Sequence, residues 1–306
     1  MQIEPLPLDR IGTLTEVYNT YAASVPLSDP VTEEQFGQAA NFRMDAGSPP
    51  RVSEQAFLVA KEDSRPLGYA HVAIGRFPGP ELRGDQEEGE TGAIRFLTYP
   101  PGERHMGQSL LDAAESWLKD RNVGRFLAFS NTTGYLFQRF AFGELSDRCP
   151  HILALLGANK YKVARGEIFL ESRDYRVDPP APLDKDTAIE IKRTEEFGSC
   201  RPGVAVIATR GADLVGECIT HSHGKWGSST ESNETLVVGP LDVEEGYQGD
   251  GWGRYLLSTA MAEGSKLGYR HAVISTDWHN YRAQLFYTNY GYTALDTGYA
   301  FTKGIS

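Results

Sequence analysis

Gln248-Gly249-Asp250-Gly251-Trp252-Gly253 is followed at once by Arg254-Tyr255-Leu256-Leu257 and preceded by Leu241-Asp242-Val243. An apolar strand thus runs into a glycine-rich turn that opens a helix. At a helix start the first N–H groups lack intrahelical partners, and the helix dipole favours an anion there. Glycines let the backbone approach a phosphate with no Cβ in the way. The turn therefore points to a phosphorylated ligand. Two commoner phosphate loops do not fit. A Walker A loop needs a Lys after its last glycine, and none follows here. A dinucleotide fingerprint needs G-x-G-x-x-G, whereas residues 249–253 spell G-x-G-x-G.

The rest of the C-terminal third supplies a second pattern. A helical segment over 254–267 stops at Gly268, and a strand follows over 271–276. A second helix over 280–290 closes on Gly291-Tyr292, and a last strand covers 299–302. The turn reads [RQ]-x-x-G-x-[GA], and the final helix reads N-x-x-A-x-x-x-Y-x-x-x-G-[FY] through Asn280, Ala283, Tyr287, Gly291 and Tyr292. In order and separation the two patterns resemble the signatures of the GNAT acyltransferase superfamily, users of acetyl-CoA. The resemblance covers residues from about 188 to 303.

Composition narrows the partners. A net charge of −11 over 306 residues argues against nucleic acid, which wants a basic face. It suits a cationic acceptor such as an amine. No stretch approaches the ~20 apolar residues of a membrane span, and Glu4, Asp9 and Arg10 sit where a secretory leader would be apolar. Cys149, Cys200 and Cys218 are odd in number and lack metal spacing, so they read as thiols of a reducing, cytoplasmic setting. His221-Ser222-His223 offers a ligand pair with no third partner, so no metal is expected. Nothing in the sequence sets an oligomeric state.

The N-terminal half repeats the same order of elements. Strands at 56–60 and 67–74 form a hairpin, 93–97 is a further strand, a helix runs through 104–119, and 126–129 is another strand. The hairpin partners in the second half are 204–208 and 214–220. Gly107 and Gly251 lie 144 residues apart, and Gly68 and Gly216 lie 148 apart, which argues for an internal duplication. Pro179, Pro180 and Pro182 mark a linker. The expected fold is therefore mixed α/β: two tandem GNAT-like domains, each a mostly antiparallel sheet flanked by helices. The expected boundaries are 1–172 for a degenerate first copy, 173–187 for the linker and 188–306 for the catalytic copy. Aligning Lys160-Tyr161 on Gly291-Tyr292 places Leu156 where the second copy has Tyr287, and Cys149 where it has Asn280. The second copy is short elsewhere. About 54 residues separate Ile3 from Phe57, but only about 15 separate Ile189 from Val204, so the helices expected at 11–24 and 32–40 have no counterpart. In the superfamily that region walls the acceptor site.

The resemblance implies an acetyl-CoA-dependent N-acetyltransferase that acts on a small-molecule or peptide amine by direct attack in a ternary complex. The alternative is a non-catalytic CoA-binding or regulatory module of the same fold. Gln248, Gly249, Asp250, Gly251, Trp252 and Gly253 would cradle the pyrophosphate. Gly239-Pro240 predicts a bulge, beyond which Leu241 and Val243 would offer main-chain groups to the thioester arm, with the Leu241 N–H as oxyanion donor. Tyr287 stands at the position of the family's general acid, and Asn280 anchors the cofactor or caps the helix. A primary amine with a pKa near 10 must lose a proton. Glu234 and His221 are the leading bases, with Glu217 and His223 nearby.

Overall fold

The computed structural model describes residues 2–40, 52–77, 90–194 and 200–304. These form two compact units, Met1–Glu167 with Asp296–Ser306, and Ile168–Leu295. The chain crosses from the first to the second within one strand and returns within another. The last segment of the sequence therefore completes the first unit.

Unit 1 begins with β1 (Gln2–Leu6), a 3-10 turn (Leu8–Leu14), α1 (Thr15–Ala22) and α2 (Glu33–Ala40). The hairpin β2 (Val52–Glu62) and β3 (Arg65–Gly75) follows, turning through Asp63 and Ser64, both at positive φ. Then come β4 (Thr91–Thr98), α3 (Arg104–Lys119), β5 (Arg125–Ala128), the short β6 (Leu145–Ser146), α4 (Pro150–Ala158) and β7 (Lys162–Ser172). The sheet order is β1-β2-β3-β4-β5, antiparallel except for the parallel β4–β5 pair. Beside β5 lies the end of the last strand of the chain, β13 (Thr293–Gly304), where Phe301 pairs with Ala128 and Lys303 with Phe126.

Unit 2 contains β8 (Ala188–Arg193), β9 (Val204–Arg210), β10 (Asp213–Ser222), α5 (Thr230–Glu234), β11 (Thr235–Val243), α6 (Trp252–Lys266), β12 (His271–Asp277) and α7 (Tyr281–Tyr290). Its strands run in the order β8-β9-β10-β11-β12, again antiparallel except for the parallel β11–β12 pair. Among the described residues no helix intervenes between β8 and β9, whereas unit 1 places α1 and α2 at that point. The period-2 pattern of β9 and β10 fits one buried face. Val204, Val206, Ala208, Cys218 and Thr220 are buried with α6, while Ala205, Ile207, Glu217, Ile219 and His221 are half-exposed.

The returning segment is held in unit 1 by a buried ion pair. Arg139 Nη1 lies 2.7 Å from Asp296 Oδ2, with both side chains at most 1% exposed. Ser146 Oγ donates to the other carboxylate oxygen at 3.0 Å, and Arg139 also donates to the Glu144 carbonyl. Removing one partner of such a pair costs about 3–5 kcal/mol, because the other charge stays desolvated. Asp296→Ala is therefore expected to lower the free energy of urea unfolding of unit 1 by about that much, read as a lower midpoint; an unchanged midpoint would show that the pair does not hold the segment. No described helix is long and apolar enough to cross a membrane.

Candidate functional site

The glycine turn has the geometry that a phosphate cradle requires. Gly249 and Gly251 adopt φ of 95° and 89°, a region closed to most side chains, and Gly251 is the N-cap of α6. A Cβ on either would meet no atom within 4 Å, so this side of the turn is open. The Tyr255 N–H donates to the Gly251 carbonyl at 3.0 Å, while among the described residues no backbone acceptor takes the N–H of Gly249, Asp250 or Gly251. These donors stand at the positive end of a fifteen-residue helix.

The strand before the turn is opened by a bulge. Cys218 pairs with Leu241 and Thr220 with Val238, so β10 has one residue where β11 has two, Gly239 and Pro240. Pro240 has no N–H for a ladder. The parallel ladder to β12 covers Thr235–Val237 only, although both strands continue. From there the strands diverge, and a cavity of about 260 Å³ opens beyond. Leu241, Asp242 and Val243 line it from the strand, Gln248 from the turn, Gly253 from the start of α6, and Arg282, Ala283, Phe286 and Tyr287 from α7 with its cap Asn280.

Side chains fix the rim. Gln248 Nε2 donates to the Val243 carbonyl at 2.7 Å, and its Oε1 accepts from Arg282 Nη1 at 2.7 Å. The strand end, the turn and α7 are thereby tied together, and a guanidinium is placed at the cavity edge. Asn280 caps α7, its Oδ1 accepting from the Ala283 N–H at 3.2 Å. Tyr287 is 4% exposed and lines the cavity. Burial, with the neighbouring Cys218 and Asp242 adding to it, pushes its pKa well above 10. At neutral pH it is a proton-bearing donor.

Several residues expected from sequence are therefore brought together here: Leu241, Val243, Gln248, Gly253, Asn280 and Tyr287 line one cavity, beside the open turn of Gly249, Asp250 and Gly251. The Trp252 side chain is buried, edge-on to Tyr255 within the core of unit 2. The two candidate bases separate. Glu234 sits before the start of β11, 3.4 Å from Arg270. Six strand residues, on the order of 20 Å, lie between it and Leu241. His221 lies across from the bulge: a Cβ on Gly239 would be 3.7 and 3.8 Å from its ring atoms. Burial, and next the charge of Lys225, lower the His221 pKa below 6.5, so the ring is neutral at pH 7. Arg282 and Phe286 were not singled out from sequence. The signal was there, since Arg282 falls inside the N-x-x-A pattern one turn before Phe286.

Residues 170–292 match the model of the acetyltransferase (GNAT) family. This segment is a GNAT domain. Across the whole length the fold is similar to that of solved GNAT proteins, one of them a tandem protein. It is similar to a tandem GNAT protein from the clavulanic acid biosynthesis pathway, at 13% identity over 99% of this chain and 98% of that one, TM-score 0.68. It is also similar to a GCN5-related N-acetyltransferase from Sphaerobacter thermophilus, at 12% identity over 99% and 95%, TM-score 0.59. A GNAT-family acetyltransferase from Colwellia psychrerythraea aligns over 100% of both chains at 13% identity, TM-score 0.53. No curated protein matches the chain by sequence.

The cap on α7 yields a direct test. Asn280→Ala leaves the Ala283 N–H without its acceptor and is expected to cost about 1 kcal/mol, read as a lower thermal midpoint. Asn280→Asp, which keeps the cap, is expected to cost little.

Proposed function

We propose that the chain is an acetyl-CoA-dependent N-acetyltransferase that transfers the acetyl group to a primary amine by direct attack in a ternary complex, with the site in unit 2. The observation that carries this reading is the cavity beyond the Gly239-Pro240 bulge. It gathers the strand end, the glycine turn and Tyr287. The GNAT family match over the same residues supports it.

Each chemical need has a residue in place. The free amides of 249–251 and the Arg282 guanidinium would hold the pyrophosphate. The main chain from Leu241 to Val243, left without a β12 partner, would align the arm, and the Leu241 N–H is assigned as oxyanion donor. One such donor is worth about 3–4 kcal/mol. The bound thioester supplies an activated acyl carbon with a thiolate leaving group. Tyr287 meets that group as a hydrogen-bond donor. Because its pKa lies above that of a thiol, about 8.5, full proton transfer is uphill and the O–H···S⁻ bond itself is the stabilising term. Neutral His221, beside the bulge, accepts the amine proton. Glu234, ion-paired to Arg270 at the other end of the strand, is the second candidate base and would act through water. Half-exposed Glu217 and exposed Asp242, paired across β10 and β11 on one face, make the approach acidic and favour a cationic amine.

The test is acetyl-CoA-dependent release of CoA thiol across a panel of amines. Tyr287→Phe is expected to lower kcat by about 10²-fold or more while acetyl-CoA affinity changes little. Equal turnover by the variant would remove Tyr287 from the chemistry. Binding without thiol release for any amine would favour the non-catalytic module.

The pH dependence follows from His221. Its pKa is depressed, so the neutral base is present above that value and lost as pH falls through it. The kcat profile is expected to show an acid limb with its inflection below 6.5, absent from His221→Gln. A limb that persists in the variant would assign the base elsewhere.

A further inference from the structure

Unit 1 repeats the elements that form the unit 2 cleft and places side chains across the gap that unit 2 leaves open. The comparison rests on the proposed reading of the unit 2 cavity as an acyl-CoA site. At the offset of 144 residues, Arg95, Tyr99 and Gly107 stand where unit 2 has Gly239, Val243 and Gly251. At the Lys160-Tyr161 alignment, His151 and Leu156 stand where it has Arg282 and Tyr287.

The bulge is conserved in geometry and opposite in content. His71 pairs with Phe96 and Val72 with Ile94, which leaves Arg95 as the extra residue of β4. The parallel ladder to β5 again ends nearby, at Ile94 and Ala128. In unit 2 the bulge carries Gly239 and no side chain crosses from it. In unit 1 Arg95, 1% exposed, crosses to the loop after β5, donating from Nε to the Thr133 carbonyl at 2.8 Å and from Nη2 to the Gly134 carbonyl at 3.4 Å. That loop is packed backbone on backbone, since a Cβ on Gly134 would lie 2.3 Å from the Gly143 Cα.

The strand end is closed as well. The Tyr99 hydroxyl donates to the His151 carbonyl at 3.0 Å, and His151 Nε2 lies 3.1 Å from the Tyr99 carbonyl. A carbonyl only accepts, so Nε2 carries the proton. The same Tyr99 ring covers the first turn of α3, where a Cβ on Gly107 would stand 2.4 Å from ring carbons. The turn itself is wound into the helix. α3 starts at Arg104, and the Gly107 N–H donates to the Glu103 carbonyl at 3.1 Å, whereas α6 starts only after Gly251. Cavities of about 400 and 380 Å³ lie on either side, and Tyr99 and His151 line both.

We infer that the Tyr99–His151 pair, with Arg95 behind it, is a closed partition that excludes acyl-CoA from unit 1, and that each chain therefore holds one acyl-CoA. Tyr99 is the residue that occupies the position the thioester arm would need.

Hydrogen exchange of the full chain at tenfold excess of acetyl-CoA over its Kd tests this. Exchange is expected to slow about tenfold at 241–253 and 280–287, with no change at 95–108 or 149–158. Tyr99→Val, which installs the side chain found at the matching position of unit 2, and His151→Ala, which cuts the partition from the other side, are each expected to gain protection at 95–108. Protection of unit 1 in the wild type would overturn the inference. So would the absence of any gain in whichever variant keeps the wild-type exchange pattern without ligand. Absence of protection in both units of the wild type would instead overturn the acyl-CoA reading of unit 2, on which the comparison rests.

Discussion

The site depends on one discontinuity in a β-ladder. Between Val238 and Leu241 the chain places two residues opposite one, and the second of them, Pro240, has no hydrogen to give a neighbouring strand. β11 cannot follow β12 past Val237, and the gap between them exposes main-chain donors and acceptors that a regular sheet would consume. The rest of the site is arranged around that gap. The turn of Gly249 and Gly251 supplies amides at its mouth, Gln248 and Arg282 lock the mouth to α7, and α7 carries Tyr287 over it.

The same discontinuity in unit 1 has the opposite consequence. An extra residue opens the ladder, but that residue is Arg95, which donates from Nε and Nη2 to the loop carbonyls of Thr133 and Gly134. A buried guanidinium is tolerable only when so bonded. His71 lies near it, with Nδ1 3.0 Å from the Tyr135 hydroxyl and Nε2 3.0 Å from Gln55 Oε1, and burial holds its pKa well below 6.5. At the bulge the first copy is thus filled by a network of aromatic and polar groups, where the second copy has only Gly239 and Pro240.

Much of this was legible before any coordinates. Gly251 and Gly249 could be placed because positive φ has a sequence signature, and Gly239-Pro240 because proline forbids a ladder bond. Asn280 and Tyr287 could be placed because caps and helical spacing are local. What is long-range was not legible. The pairing of Phe301 with Ala128 joins residues distant in sequence, so nothing near 296–304 announces that this segment completes the first unit. His221 lies within β10 and Glu234 just before β11, and only the register of β10 against β11 separates the one beside the bulge from the one at the far end. The Tyr99–His151 pair is equally silent in sequence, because its two bonds use main-chain carbonyls that any residue would provide.

The most direct measurement is a crystal structure of the chain with CoA bound. The account predicts the pyrophosphate on the amides of 249–251 and the arm running along Leu241–Val243 in the gap beside β12, with Tyr287 at the thiol. A structure with that gap empty and CoA held elsewhere would contradict the account.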